Sequence, residues 1–467
     1  MKVPHQTRPL ALAAVLLLAL IAGPAAAQSR KELESIIQRR VLNNGMEVVV
    51  VESHGVPIAT VEIDVKNGSF TQSPEFAGLA HLYEHMFFKA SKAFPRPDMF
   101  IDRASELGAV FNASTQEERV NYYMTLSADS LEGGVQLIAA SLREPLFLKE
   151  ELDRERQVVL GEYDRNESSP FFRLTRELDK HLYPGNFSRK NTIGDRQVIA
   201  TTTPEKMRTI QRLYYVPNNS LLIVAGDVVP ARVFALAEKY FGDWKAGDDP
   251  FRASPIPAIP ALTKNEAVIV EEPVAAVTVL LQWQGPSVGK DPEATYAADV
   301  FSDALNSPTS EFQKRLVDSG LWQSLGVNYY TLNHVGPISI SGQVTPDNLR
   351  KSLAALDAEI RRFDTPGYIP TTQLEDAKAQ RAVSSAFGIE KASAITHTIG
   401  FWWSVASLDY FMGYVDNMAR QRGDDLRAYA RKYIVDKPRI TGVLIAPAAR
   451  RAIKLEEADL LFGKVAQ

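Results

Sequence analysis

The sequence predicts an α+β protein made of two similar units, and three observations lead there. Apolar runs of strand type, such as Val48–Val51 and Leu221–Val228, alternate with charged or amphipathic stretches of helical type. Short matches recur at one offset: Ala59-Thr60-Val61 is echoed by Val277-Thr278-Val279, and Tyr215 by Tyr433, both 218 residues on (277 − 59 and 433 − 215). Between the two units lies a passage with Pro250, Pro255, Pro257 and Pro260 and no apolar periodicity, which reads as a linker.

The 467 residues are enough for two or three domains, and 45% hydrophobic with 23% charged content suits a globular protein with a sizeable core. Lys2 and Arg8 precede an apolar run, Leu10–Ile21, and then Ala25-Ala26-Ala27, a small-residue cleavage site. This is the pattern of a bacterial secretory signal over residues 1–27, too short for a membrane span, cleaved near Ala27. The expected mature chain begins at Gln28 in the periplasm, free of the membrane. Removing two positive charges from a net −4 leaves about −6, which argues against nucleic acid as a main partner. Cysteine is absent, so no disulfide, thiolate ligand or thiol nucleophile is available.

Along the chain, Lys31–Arg40 reads as a short helix or arm, and Ile58–Val65 as a strand ending at the Asn67-Gly68 turn signal. A helix is expected over Ala77–Lys89, and two strands over Val110–Leu126 around a polar turn at 116–119. Leu148–Asn166 is a charged helix ending before Pro170, and Ala231–Phe241 an amphipathic one. The expected organisation is a domain at 28–246, a linker at 247–266 and a second domain at 267–467.

His81-Leu82-Tyr83-Glu84-His85 carries the chemistry. Residues four apart on a helix point the same way, so His81 and His85 can reach one ion, and Glu84 shares that face. A metal lowers the pKa of a bound water from 15.7 to about 7, and a nearby carboxylate can take the proton. The order H-x-x-E-H is a peptidase signature, the inverse of H-E-x-x-H. A catalytic zinc needs a third protein ligand. The acids of 150–167 offer candidates; Glu155 and Glu162, seven apart, face one side, so one could bind metal while the other receives a hydrogen bond from a ligand histidine. Spacing leaves open which does which, and leaves open a merely solvated charged helix. At the offset of 218, His81, Glu84, His85 and Glu162 fall on Asp299, Ser302, Asp303 and Gln380, so the second unit has no matching metal set.

Several segments together resemble the pitrilysin/insulinase family of zinc metallopeptidases, which includes the mitochondrial processing peptidase. They are Asn44-Gly45-Met46, Gly78 through Phe88, Phe111–Thr115 with Asn121-Tyr122-Tyr123, Glu155 through Glu162, and Tyr215 through Asp227. The resemblance covers most of residues 40–245 and is looser beyond. It implies two homologous domains, each a mainly antiparallel sheet packed with helices, forming half of a clamshell chamber. It implies one Zn2+ per chain, held by His81, His85 and Glu162, with Glu84 as general base and Glu155 behind a ligand histidine. Asn112, Ala113 and Ser114 fall on the edge strand that pairs with extended substrate in relatives.

One segment departs from the family pattern. Relatives with a complete site supply an Arg and a Tyr from the second domain to hold substrate. In Phe312 through Gln323 those positions are Leu316 and Gln323, with Arg315 one residue off, a turn of about 100° on a helix. The resemblance therefore implies a heterodimer with a homologous chain that carries the Arg/Tyr pair, in preference to a homodimer. The function expected is a zinc metalloendopeptidase subunit acting on peptides or unfolded segments. The alternatives are a degenerate peptide-binding or assembly subunit and, more weakly, a structural zinc site, which would need a closed set of four protein ligands.

Overall fold

The computed structural model describes residues 30–461; the leader and the expected start at Gln28 lie outside them. Two sheets organise the chain. The first contains β1 (Ile37–Val41), β2 (Glu47–Glu52), β3 (Ile58–Val65), β4 (Val110–Thr115), β5 (Val120–Ser127) and β6 (Ser220–Gly226), in the order β1-β2-β6-β3-β5-β4. The second contains β7 (Glu266–Glu271), β8 (Val277–Gln284), β9 (Ser324–Tyr329), β10 (Pro337–Val344) and β11 (Ile440–Ile445), in the order β7-β11-β8-β10-β9. Leaving out β1, the two orders are the same. Each sheet is antiparallel except for one parallel pair, β2 with β6 and β7 with β11. Val61 faces Val224 across the first sheet, and Val279 faces Val443 across the second. The fold is the mixed α+β architecture read from the sequence.

The segment read as a helix or arm at Lys31–Arg40 is a helix only over Arg30–Ile36 and then becomes β1. Its polar composition hides the strand. Only Ile37 is buried; Arg39 pairs with Glu47 at 2.5 Å, and the Arg40 guanidinium lies over the Phe234 ring. Backbone pairing to β2, rather than apolar alternation, makes β1.

Each sheet must cover two faces, and its own half covers only one. Val48, Val50, Val61, Ile63, Tyr122 and Val224 face the helices of the first half. The opposite face, with Val49, Val51, Leu221 and Ile223, packs against Ile395, Ile399 and Trp403. Those three belong to a helix of the second half, Ala392–Val405. The exchange is reciprocal. Leu280, Ile440 and Leu444 of the second sheet are covered by Leu174, Leu178 and Leu182 of the helix Pro170–Leu182. Gly442 makes this approach possible, since a Cβ there would come 2.5 Å from the Leu178 side chain.

The helices that frame the site and close the sheets are α1 (Leu79–Phe87), α2 (Lys149–Glu167), α3 (Pro170–Leu182), α4 (Pro292–Asn306), α5 (Thr371–Phe387) and α6 (Ala392–Val405). Where α6 crosses the first sheet it covers ions as well as oil. Glu62 and Asp64 of β3 are fully buried. Glu62 accepts from Arg119 Nη2 at 2.5 Å and from Asn121 at 2.7 Å, and it pairs with His397 Nδ1 at 2.5 Å. Asp64 accepts from Arg119 Nε at 2.5 Å. Gly400 of α6 lies against the Asp64 carboxylate, where a Cβ would fall within 2.5 Å of its atoms. Buried charges are tolerated only when paired and hydrogen-bonded, so this network dictates one register for α6 on the sheet.

Leu178→Ala should cost about 2–5 kcal/mol, the range for deleting a fully buried leucine side chain. It should also raise hydrogen exchange in β11, in the other half of the chain. Denaturant unfolding should remain one transition; two separated transitions would show that the sheets fold independently.

Candidate metal centre

Helix α1 begins at Gly78, whose backbone is left-handed (φ 91°). A side chain there would press on the Ile193 carbonyl, 2.8 Å from the Cβ position. The first-turn donors have a cap supplied from a distance: Gln72 Oε1 accepts from the Gly78 and Ala80 N–H groups, each at 3.0 Å. Leu79, Leu82, Tyr83, Met86 and Phe87 form the apolar stripe, and Phe87 stacks on Tyr122 with ring centroids 3.8 Å apart. His81, Glu84 and His85 are left on the face towards α2 and β4.

Helix α2 anchors through Leu152, Val159 and Tyr163 and presents three acids along α1. Glu151 accepts from the Ala90 N–H at 3.2 Å, beyond the end of α1. Glu155 takes Lys89 Nζ at 2.7 Å on one oxygen and His85 Nδ1 at 3.2 Å on the other. Glu162 Oε2 lies 3.5 Å from His81 Nε2 and 3.6 Å from His85 Nε2. Ligand atoms of His81, His85 and Glu162 all lie within 4.8 Å of one another, and among the described residues these three are the group able to hold a metal ion.

These separations fit a metal better than hydrogen bonds. Ligands about 2.1 Å from a tetrahedral zinc are about 3.4 Å apart, close to the observed spacings, whereas hydrogen bonds are shorter. The donor set, two imidazoles and a carboxylate, is one that zinc accepts. Glu155 fixes the ring of His85; Nδ1 of His81 is buried and meets no hydrogen-bond partner among the described residues. The four other described histidines each pair with an acid: His54 with Asp227, His181 with Glu266, His334 with Glu118, and His397 with Glu62.

Burial, and then the neighbouring His85, push His81 down to about 4, so its imidazole is neutral and its lone pair free. For His85 burial also opposes the charge, but Glu155 and the charges of Glu162 and Glu84 outweigh it and raise the pKa. Burial raises Glu84, partly offset by a hydrogen bond from the Thr115 hydroxyl at 2.7 Å. The sequence reading missed Thr115, Lys89, Glu151 and Gln72. Thr115 lies in the Phe111–Thr115 segment, but nothing in strand periodicity says what its hydroxyl touches.

Asn112, Ala113 and Ser114 lie on β4, which is the outer strand of the sheet. Ser114 donates to Asn121 at 2.6 Å and Asn112 Oδ1 accepts from the Ala113 N–H, so these polar side chains are occupied locally.

The counterpart positions in the second half carry the opposite chemistry. Asp299 and Asp303 lie on α4, and Arg381, one residue past the counterpart of Glu162, lies on α5. Arg381 Nε and Nη2 each reach Asp303 at 2.7 Å, and the Tyr414 hydroxyl donates to Asp299 at 2.7 Å. In the departing segment, Leu316 is packed in the second core at 2% exposure, and Arg315 is held by Glu359 at 2.7 Å.

Comparison with known proteins agrees with this layout. Residues 47–195 match the family described as Insulinase (Peptidase family M16), and residues 201–381 match the Peptidase M16 inactive domain. The chain belongs to the M16 peptidase family. It is 26% identical over 441 residues to the zinc protease PqqE of Helicobacter pylori, covering 92% of this chain and 96% of that protein. It is 25% identical over 328 residues to the mitochondrial-processing peptidase subunit beta of Caenorhabditis elegans, covering 67% and 69%. Its fold matches the crystal structure of a protease from Helicobacter pylori with a TM-score of 0.77 at 24% identity, covering 87% of this chain and 99% of that one. It also matches the first half of the periplasmic protease PqqL from Escherichia coli, with a TM-score of 0.73 at 18% identity, covering 91% and 95%. The M16 match to an inactive domain includes α4 and most of α5, where Asp299, Asp303 and Gln380 stand at the 218-residue offset from His81, His85 and Glu162.

Burial raises Asp299 to about 6. The folded state therefore holds this proton more tightly than the unfolded chain does. Its contribution falls as pH rises from the ordinary carboxylate range to about 6 and is flat above. Asp299→Asn, which keeps an acceptor for Tyr414, should gain stability relative to the parent over that interval, by on the order of 3 kcal/mol. Denaturant midpoints at pH 4 and pH 7 measure it; an unchanged difference between the two proteins would refute it.

Proposed function

We propose that this M16 chain is a zinc metallopeptidase subunit that hydrolyses peptides or unfolded segments, with His81, His85 and Glu162 binding one Zn2+ and Glu84 acting as general base. The observation that carries the reading is the convergence of His81 Nε2, His85 Nε2 and Glu162 Oε2, with Glu84 one helical turn from His81 on the same face. Three protein donors leave a fourth position for a reactant, whereas a structural site closes all four. When bound, zinc supplies Lewis acidity, making water acidic enough to lose a proton near neutral pH. Glu84 takes that proton on the oxygen that Thr115 leaves free and returns it to the departing amine. Burial supports this role, because it raises the carboxylate's proton affinity and keeps bulk water from competing.

An extended peptide would add a strand to the free edge of β4 at Asn112–Ser114. Backbone pairing binds many sequences alike, and the side chains of Asn112 and Ser114 are already engaged within the sheet. The edge alone does not hold the peptide towards α1. Leu316 and Gln323 stand where relatives have Arg and Tyr, and Leu316 cannot leave the core without opening a cavity. We therefore assign the missing pair to a second, homologous chain, and the working form to a heterodimer. The periplasm is the proposed location; among the described residues no helix is long and apolar enough to cross a membrane.

Glu84→Gln should reduce hydrolysis of an unstructured peptide by at least about 100-fold while zinc content stays at one per chain. If the assembled protein cleaved at the parental rate, the peptidase assignment would be wrong and the chain would be a peptide-binding subunit. Glu155→Gln should weaken zinc binding about 10–100-fold, measured by chelator competition, because the ring of His85 loses its charged partner. Co-purification should recover a homologue carrying the Arg/Tyr pair; full activity with self-association alone would sink the heterodimer.

A further inference from the structure

Glu84 is the group on which the proposed reaction turns, and its carboxylate is not held by its own helix. Among the described residues, Thr115 is the one hydrogen-bond donor to it, Oγ1 to Oε2 at 2.7 Å. We propose that Thr115 is a positioning residue, whose hydroxyl fixes the Glu84 carboxylate so that its other oxygen faces the metal group; this rests on the reading of Glu84 as general base.

A glutamate has three side-chain torsions, with several staggered combinations open to it and a broad terminal torsion. His85 attracts the Glu84 carboxylate and Glu162, more weakly, repels it, so the neighbouring charges alone leave it free to turn. A donor on one oxygen opposes this and leaves the second oxygen available. Threonine suits the task, because its branched Cβ restricts χ1 and so aims the hydroxyl.

Thr115 is the last residue of an edge strand, ordinarily a loose place, yet its end of the strand is braced from both halves. Thr115 pairs with Val120, and the Gln116 N–H closes the turn onto the Arg119 carbonyl at 2.8 Å. The Ser69 and Phe70 N–H groups donate to the Gln116 and Glu117 carbonyls. That approach requires Gly68 (φ 144°), where a Cβ would come within 2.4 Å of both oxygens. Glu118, almost fully buried, reaches into the second half and accepts from the Asn333 N–H, the His334 N–H and His334 Nδ1 at 2.7, 2.7 and 2.8 Å. Lys190 Nζ donates to the carbonyls of His334 and Val335 in the same loop. At the opposite end of the strand, Val110 is 73% exposed and pairs with Thr125, and Ala109 is tied to the preceding helix end, all within the first half. The bracing that reaches into the second half is thus at the end that touches Glu84.

The test compares Thr115→Val, which keeps the shape without the hydroxyl, with Thr115→Ser, which restores it, and with Glu84→Gln, all in the full mature chain with any co-purifying partner. The measurements are kcat and KM on a quenched-fluorescent unstructured peptide, zinc content, melting temperature, and the Glu84 rotamer in crystals of the metal-free variants. Expected for Thr115→Val is a fall in kcat of about 10–100-fold, with KM within about twofold and zinc still at one per chain. Glu84 should occupy more than one rotamer in that variant, and Thr115→Ser should recover most of kcat and the single rotamer. Parental kcat and an unchanged Glu84 rotamer in Thr115→Val, with Glu84→Gln inactive, would overturn the inference and leave the peptidase reading standing. A parallel loss of zinc and melting temperature that serine does not rescue would overturn it in favour of a structural role. Full activity in Glu84→Gln would overturn both readings.

Discussion

The outer face of each sheet is closed by a helix from the other half of the chain, and most of the structure follows from that exchange. A sheet with one bare apolar face is not stable in water, so neither half can complete its core alone. Helix α3 covers Leu280, Ile440 and Leu444, and α6 covers Val49, Val51, Leu221 and Ile223. The two halves are therefore not beads on a linker. Their relative placement is set by side-chain packing and, under α6, by the pairing of Glu62 and Asp64 with Arg119 and His397. A shift of α6 by one residue would place a side chain where Gly400 lies against Asp64.

This placement reaches the metal group through one turn. The β4–β5 turn is gripped by the Gly68–Phe70 backbone on one side and, through Glu118, by the loop at 333–335 on the other. Thr115 lies at the end of β4 next to that turn and touches Glu84. On the opposite side, α2 presents Glu151, Glu155 and Glu162 to successive points along α1. Glu84, His81 and His85 are thus held between a strand end and a helix whose positions are both determined by packing elsewhere. A site that needs donors placed to within a fraction of an ångström requires such support.

What was legible in the sequence was whatever depends on local period or on spacing. The His81/Glu84/His85 face follows from helix geometry, and the strand pair around 116–119 from alternation and its polar turn. The shared offset pointed to two similar units, and the common strand order of their sheets came only with the structure. Spacing alone left Glu155 and Glu162 interchangeable, and only the resemblance separated them; the structure places Glu162 against both ring Nε2 atoms and Glu155 behind His85. Strand β1 was missed because its pairing is by backbone while its side chains are mostly polar. The helix exchange was missed because Leu174-x3-Leu178-x3-Leu182 announces an apolar face but not its partner. Thr115 was read as a strand residue because the group its hydroxyl contacts lies 31 positions away in sequence.

The two halves meet a similar electrostatic demand on one helix pair in different ways. On α1 and α2, neutral His81 and the carboxylates of Glu84 and Glu162 converge on one face, where buried carboxylates are costly and the cation paired with Glu162, Arg165, reaches it at 3.8 Å from an exposed side chain. A divalent ion would offset them, so affinity for metal and stability of the site have a common origin. On α4 and α5, Asp299 and Asp303 would raise the same demand, but Arg381 meets it from within, reaching both oxygens of Asp303, while Tyr414 and proton uptake relieve Asp299. A guanidinium cannot be displaced and offers no vacant position to a reactant. At α4 and α5 the aspartates are thus committed to Arg381 and Tyr414, and among the described residues no second group able to hold a metal ion forms there.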